Sequence, residues 1–187
     1  MYSILDYIIV VPKAVPDSLC NAIVNEYKDS GEWEIGYIDN KVRKDVRNCQ
    51  NIPISKPAII RVNPEHRASL DNQLFHIAGK VINDYAQKFG TFTIEKDEGY
   101  TLLRYETGQF IKPHIDTGVT ELNRRKVSCS FALNDEYTGG EFSFFNGEHT
   151  LKLDKGSILL FPSNFVYPHE ILEVKSGTRY SIITWFN

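Results

Sequence analysis

No stretch of this 187-residue chain approaches the roughly 20 consecutive apolar residues needed to cross a bilayer, so no membrane-spanning helix is expected. Cysteine is scarce. Cys20, Cys49 and Cys129 are odd in number, widely spaced and free of any CxxC pair, which argues against a disulfide framework and against a cysteine zinc site. Reduced thiols fit a cytoplasmic protein, and the opening Met1-Tyr2-Ser3-Ile4-Leu5-Asp6 lacks the basic stretch and apolar run of a secretory signal. Positive charge is not in surplus either: 21 Lys and Arg stand against 24 Asp and Glu, a formal net charge of -3. Domains that hold nucleic acid usually carry a basic excess that releases counterions from phosphates, so nucleic acid is a disfavoured partner. Repeats, low-complexity tracts and linkers are also missing.

What is present is an ordinary globular composition, 42% hydrophobic and 24% charged, far from the range in which disorder dominates. The length suits a single domain over residues 1–187. Residues 1–98 read as helical support and variable loops. An apolar run from Tyr7 to Val11 reads as a strand closed by Pro12 and Pro16. Asp17 or Ser18 then caps a helix with Leu19, Ile23 and Tyr27 on one face, ending near Gly31. Loops with short strands follow to about Pro64, and a longer helix runs from about Ser69 to Phe89, with Leu70, Leu74, Ile77, Val81 and Tyr85 as its apolar stripe.

From residue 99 to the end the period becomes that of strands: Tyr100–Tyr105, Phe110–Ile115, Val127–Leu133, Glu141–Phe145, His149–Leu153, Ser157–Phe161, Val166–Leu172 and Thr178–Phe186. Asn146-Gly147 signals a type I′ hairpin, and turns are marked at Asp154–Gly156 and Lys175–Gly177. Gly139-Gly140 reads as backbone geometry at a strand entry rather than a phosphate loop, since no helix follows. The fold class is mainly β with supporting helices, a jelly roll whose N-terminal helices pack on one sheet.

His114-Ile115-Asp116 puts an imidazole and a carboxylate at i and i+2, on one face of an extended chain. By itself this is more readily a polar strand end after Pro113. His169 lies in the run Val166–Leu172 on the face of Tyr167 and Ile171, where an inward imidazole requires a partner. Together the three residues complete a two-histidine, one-carboxylate set, the donor set of non-haem Fe(II) oxygenases. Arg179 follows His169 by ten residues. A hairpin through Lys175–Gly177 would fold it back beside Ile171 or Glu173, roughly 7–13 Å along the strand from His169. That offset suits a five-carbon diacid held by metal at one end and by a guanidinium fork at the other.

The segment Arg104-Tyr105-Glu106-Thr107-Gly108-Gln109-Phe110 with His114-Ile115-Asp116 resembles the Y-x-x-G-x-x-x-x-x-H-x-D signature of the prolyl 4-hydroxylase branch of the 2-oxoglutarate oxygenases. Leu133-Asn134, Gly139-Gly140-Glu141-Phe142, Pro168-His169 and Thr178–Trp185 follow in that family's order, so the resemblance covers residues 99–187. It implies a double-stranded β-helix and use of Fe(II), 2-oxoglutarate and O2, with ascorbate as an accessory reductant. The implied reaction hydroxylates an unactivated C–H, most typically of a peptidyl proline, and turns 2-oxoglutarate into succinate. The iron ligands carried over are His114, Asp116 and His169, and Arg179 takes the far carboxylate. Tyr105 and Trp185 are candidate walls of the co-substrate pocket, Tyr105 equally readable as a core aromatic and Trp185 more readily so.

Arginine at 179 is the choice of the oxygen-sensing members, but Ala132 replaces the tyrosine that those members place near the co-substrate. Besides a peptide or protein substrate, a free amino acid, a small metabolite or a nucleic-acid base remains open, as does a non-catalytic jelly-roll binding module. The basic loops 41–47 and 124–126 read as solvated charge.

Overall fold

The computed structural model describes residues 2–36, 42–55, 64–90, 92–117 and 124–187. The chain runs through β1 (Ile9–Val11), α1 (Asp17–Tyr27), β2 (Glu34–Ile35), β3 (Arg47–Asn48), β4 (Gln50–Pro53), α2 (Pro64–Phe89), β5 (Thr101–Glu106) and β6 (Phe110–His114). It continues through β7 (Val127–Ala132), β8 (Thr138–Gly139), β9 (Phe142–Phe144), β10 (His149–Leu151), β11 (Ile158–Pro162), β12 (His169–Ile171), β13 (Val174–Ser176) and β14 (Thr178–Phe186). Strands β1-β11-β7-β14-β5-β4-β2 form a major antiparallel sheet and β10-β9-β12-β6-β3 a minor one; β13 and β8 make a separate ribbon. This is the jelly-roll sandwich expected from the strand pattern, with two helices added.

The major sheet is covered on both faces, which is why its central strands read as almost unbroken apolar runs. On one face Leu102, Phe131, Leu160 and Ile182 pack with Ile23 and Tyr27 of α1 and with Leu74, Ala78, Ile82 and Tyr85 of α2. On the other, the alternate residues Leu103, Tyr105, Leu159 and Phe161 meet Ile111, Phe142, Phe144 and Ile171 of the minor sheet. The period of two thus sorts each strand between two cores.

Several local expectations are corrected. Asp17 is the first helical residue of α1 and neither it nor Ser18 caps the helix; the amides of Leu19 and Cys20 bond the Pro16 carbonyl instead. Helix α2 begins five residues earlier than Ser69, at Pro64, a residue pre-organised for a first turn. The strand expected over Tyr7–Val11 is present but shorter, Ile9–Val11, because Tyr7 closes a 3-10 turn over Ile4–Tyr7. Asn146-Gly147 does reverse the chain, but Phe144 pairs with His149, so the loop spans residues 145–148. Phe145 and Asn146 both take positive φ, 55° and 58°. The Phe145 amide bonds the Pro168 carbonyl, drawing that residue toward the approach to β12 and lengthening the turn.

The hairpin assumed before Arg179 is also different. Strand β13 pairs with β8, while β14 sits between β7 and β5 in the major sheet, so Arg179 faces β12 across the sandwich rather than from a neighbouring strand. Apolar alternation specifies which face of a strand is buried but not which sheet receives it. Gly139 makes the ribbon feasible: its φ is +72° and a Cβ there would lie 2.2 Å from the Glu173 carbonyl oxygen, so only glycine fits.

Candidate active site

His169 and His114 are directly paired across β12 and β6, with ring centroids 4.4 Å apart. The chain leaves β6 immediately after His114, and this bend carries Asp116 over the two rings. His114 Nε2 lies 3.5 Å from Asp116 Oδ1, and His169 Nε2 lies 3.6 Å from Asp116 Oδ2. These separations are too long for strong hydrogen bonds and leave the three donors facing a common centre. Among the described residues they form the one group of metal-ligating side chains, with donor atoms within 4.8 Å of one another.

The far nitrogens define the tautomers. His114 Nδ1 lies 2.9 Å from the Lys112 carbonyl and His169 Nδ1 lies 3.2 Å from that of Tyr167. Each Nδ1–H donates to its carbonyl, which leaves both Nε2 lone pairs aimed inward as metal-ligating histidines require. His169 is 3% exposed and boxed by the rings of Phe161 and Phe144. Burial pushes its pKa down to about 4, with Asp116 opposing the shift.

Burial also acts to raise the Asp116 carboxyl, but His169, His114 and a hydrogen bond from Ser128 outweigh it and hold the group below the usual carboxylate range. The site therefore presents two inward-facing imidazole Nε2 atoms and one buried carboxylate. No lysine or arginine pairs with that carboxylate among the described residues: Arg125 donates to the Asp116 backbone carbonyl instead. A buried anion with this donor set fits a divalent cation.

The pKa of His169 predicts an acid limit. In the unfolded chain the imidazole protonates below its ordinary 6.5, whereas in the fold it resists protonation until about 4. The unfolded state holds the extra proton between those values, so the contribution of His169 to stability is complete above pH 6.5 and is lost as pH falls toward 4. The loss is up to about 3 kcal/mol. Urea unfolding of metal-free protein at pH 7 and pH 4.5 should show this slope, and His169→Gln should remove it.

A serine not anticipated from the sequence holds Asp116 and is itself partnered by a second. Ser128 Oγ donates to Asp116 Oδ2 at 2.6 Å and lies 2.8 Å from Ser163 Oγ, all three residues being buried. The alternation Ser128, Ser130 within the otherwise apolar β7 was the available signal, since polar side chains on an inward face need partners. Ser128→Ala should weaken divalent-metal binding by about tenfold to a hundredfold while changing the melting temperature little, as read by competition against a chromophoric chelator.

Arg179 lies in the same cavity, a space of about 350 Å³ also lined by His114, Asp116 and His169. It is 3% exposed. Its Nη1 donates to Ser181 Oγ at 2.8 Å, and its guanidinium lies 5.0 Å from the Tyr105 ring centroid and 5.3 Å from that of Phe142. No carboxylate pairs with it among the described residues. A buried guanidinium so placed is incomplete without an anion. Tyr105 pairs with Arg179 in the sheet, and burial pushes its phenol pKa far up, so it remains neutral.

Trp185 lies on the same face of β14, six residues beyond Arg179, or about 20 Å of strand. It pairs with Ser128, which places it near Asp116 and away from the Arg179 end. Arg125 stacks 3.6 Å over its ring and binds Glu98, so this member of the 124–126 loop is a fixture of the cavity rather than solvated charge. Of the 41–47 loop, Lys41 lies outside the described residues, Arg43 pairs with Asp45 at the surface, and Arg47 lines the cavity. His66, His76 and His149 do not line it.

Residues 100–187 match the model of the 2OG-Fe(II) oxygenase superfamily. A PKHD-type hydroxylase of Prochlorococcus marinus is 38% identical over 114 residues, covering 58% of this chain and 50% of that protein. Another from that species is 29% identical over 153 residues, covering 79% and 67%. The chain thus spans about half to two thirds of the length of these relatives. Among solved structures, a Pseudomonas putida prolyl-4-hydroxylase superposes with a TM-score of 0.76 at 21% identity, covering 98% of this chain and 97% of that one. A Trichoplax adhaerens prolyl hydroxylase, in complex with a hypoxia inducible factor peptide fragment, gives 0.78 at 19% identity, covering 97% and 84%. Residues 100–187 therefore match the 2OG-Fe(II) oxygenase superfamily, and the chain shares the fold of these two prolyl hydroxylases.

Proposed function

We propose that this chain is an Fe(II)- and 2-oxoglutarate-dependent hydroxylase acting on a proline within a peptide or protein. The observation that carries the proposal is the buried, anion-free Arg179 guanidinium in one cavity with the inward Nε2 atoms of His114 and His169 and the carboxylate of Asp116. These three residues would hold the iron. When bound, it supplies the oxygen chemistry that converts 2-oxoglutarate and O2 to succinate, CO2 and a hydroxylated substrate.

The chain's own contribution is binding, orientation and exclusion of water. Arg179, steadied by Ser181 and by two ring faces, takes the far carboxylate of 2-oxoglutarate with paired charge-assisted hydrogen bonds. Leu103, Ile111, Phe142 and Ile171 wall the space between that carboxylate and the metal position, lowering the local dielectric and strengthening each charged contact. Ser128, itself bonded to Ser163, fixes the Asp116 carboxylate. Trp185 and Ile115 line the metal end, where a substrate carbon would approach. That the relatives are called PKHD-type hydroxylases and that one solved neighbour holds a peptide support a peptidyl substrate.

A cytoplasmic setting agrees with three buried, unpaired cysteine thiols; no helix among the described residues is long and apolar enough to cross a membrane. The test is succinate formation from 2-oxoglutarate with Fe(II), O2 and ascorbate over a panel of proline peptides, with intact-mass detection of an added oxygen. Succinate should form and His114→Ala should abolish it. Failure of the wild-type protein to consume 2-oxoglutarate would remove the assignment.

A further inference from the structure

The inner face of the minor sheet carries one residue that the reaction as described does not use. Phe142 of β9 pairs with Ile171 of β12, Ile171 with Ile111 of β6, and Ile111 with Arg47 of β3. Directly paired residues of antiparallel strands share a face, and all four line the cavity. Arg47 thus ends an otherwise apolar row, pointing inward from the edge strand. Its Nε donates to Cys49 Sγ at 3.4 Å. The backbone at Gly36 approaches its stem so closely that a Cβ there would lie 2.8 Å from Nε. Among the described residues the guanidinium has no carboxylate partner.

Charge balance shows why this matters. The two positive charges of a divalent metal and the one on Arg179 match Asp116 and the two carboxylates of 2-oxoglutarate. Arg125 is matched by Glu98 at 2.7 Å, the Tyr105 phenol is neutral, and Lys112 is exposed to solvent. With metal and co-substrate in place, Arg47 is the surplus charge among the cavity's partly buried side chains. One half-buried guanidinium balances a single carboxylate, whereas a phosphate dianion would leave a negative charge uncompensated.

We infer that Arg47 is a substrate-binding residue that selects a carboxylate on the molecule to be hydroxylated, either an acidic side chain beside the target proline or the free carboxylate of an amino acid. This rests on the proposed function, which it deepens by naming the chemistry of the substrate.

The experiment measures binding without turnover, in the protein loaded with Zn(II) and 2-oxoglutarate. The probes are four: proline peptides flanked by Glu, by Gln and by Lys, and free L-proline. Arg47→Gln should weaken the Glu-flanked peptide, or free proline if that is the preferred probe, by about tenfold or more, while the 2-oxoglutarate Kd moves by less than about twofold. Arg47→Lys should recover most of the affinity, and Arg47→Glu should reverse the preference toward the Lys-flanked peptide, an inversion that a merely structural role would not produce. Melting temperatures identify any variant that fails to fold, and the two charged variants then decide. Equal binding of Glu- and Lys-flanked peptides by the wild type together with free L-proline binding that Arg47→Gln leaves unchanged or that is absent, or a large loss of 2-oxoglutarate affinity in Arg47→Gln, would overturn the inference. If Arg47 selects acidic probes but no succinate forms in the turnover assay, carboxylate recognition by Arg47 stands while the hydroxylase assignment, and with it the role of that ligand as substrate, falls.

Discussion

An Arg179→Gln protein is expected to bind 2-oxoglutarate about a hundredfold more weakly than the parent, while its ligand-free fold is no less stable. The two halves of this expectation have one cause. Arg179 is 3% exposed and is held by Ser181 and by the faces of Tyr105 and Phe142, with no carboxylate beside it among the described residues. Its desolvation is therefore only partly offset, and removing the charge relieves a cost as well as losing contacts. Once the diacid is present the balance reverses, because glutamine cannot supply the paired charge-assisted bonds. Arg179→Lys keeps the charge and loses the fork, and should fall between the two. Calorimetric titration with a redox-inert divalent metal, alongside thermal unfolding of the ligand-free protein, checks both signs. Unchanged affinity in Arg179→Gln would show that the co-substrate lies elsewhere.

The second large effect is expected at Asp116. Asparagine has nearly the same shape and its amide oxygen can still accept from Ser128, so Asp116→Asn should fold with stability within about 1 kcal/mol of the parent. What it lacks is the buried negative charge that faces both Nε2 atoms. Divalent-metal affinity should therefore fall by at least about a hundredfold, and all metal-dependent binding of 2-oxoglutarate should fall with it. Chelator competition measures this directly. Retained affinity would mean that the two histidines alone hold the metal and that Asp116 is structural.

How much of this was legible in the sequence differs from residue to residue for physical reasons. The strands around the site could be found because the period of two is written in Leu102 against Leu103 and in Leu159 against Leu160, whose side chains go to different cores. The metal-binding candidates could be found because histidine on the apolar face of Tyr167 and Ile171 demands a partner, and His114 and Asp116 supplied one. The route of Arg179 to the site could not, because a turn at Lys175–Gly177 states that the chain reverses without stating which sheet receives it. β13 pairs with β8, and β14 joins the other layer.

Arg125, Ser128 and Arg47 were missed for a related reason. A charged or hydroxyl side chain is solvated or buried according to what packs over it, and Trp185, Asp116 and Ile111 are respectively 60, 12 and 64 positions away in the chain. Such pairings are tertiary facts. The Asn146 loop shows the converse, where a strong local turn signal was lengthened by a bond from Phe145 to the Pro168 carbonyl.

The most direct measurement is an anaerobic titration of 2-oxoglutarate into the protein with and without Fe(II). The account predicts one saturable site per chain whose affinity depends strongly on the metal, is lost with Asp116→Asn and is greatly weakened with Arg179→Gln. Binding that is indifferent to iron, or no binding in its presence, would contradict the claim that His114, Asp116, His169 and Arg179 serve one ligand in one cavity.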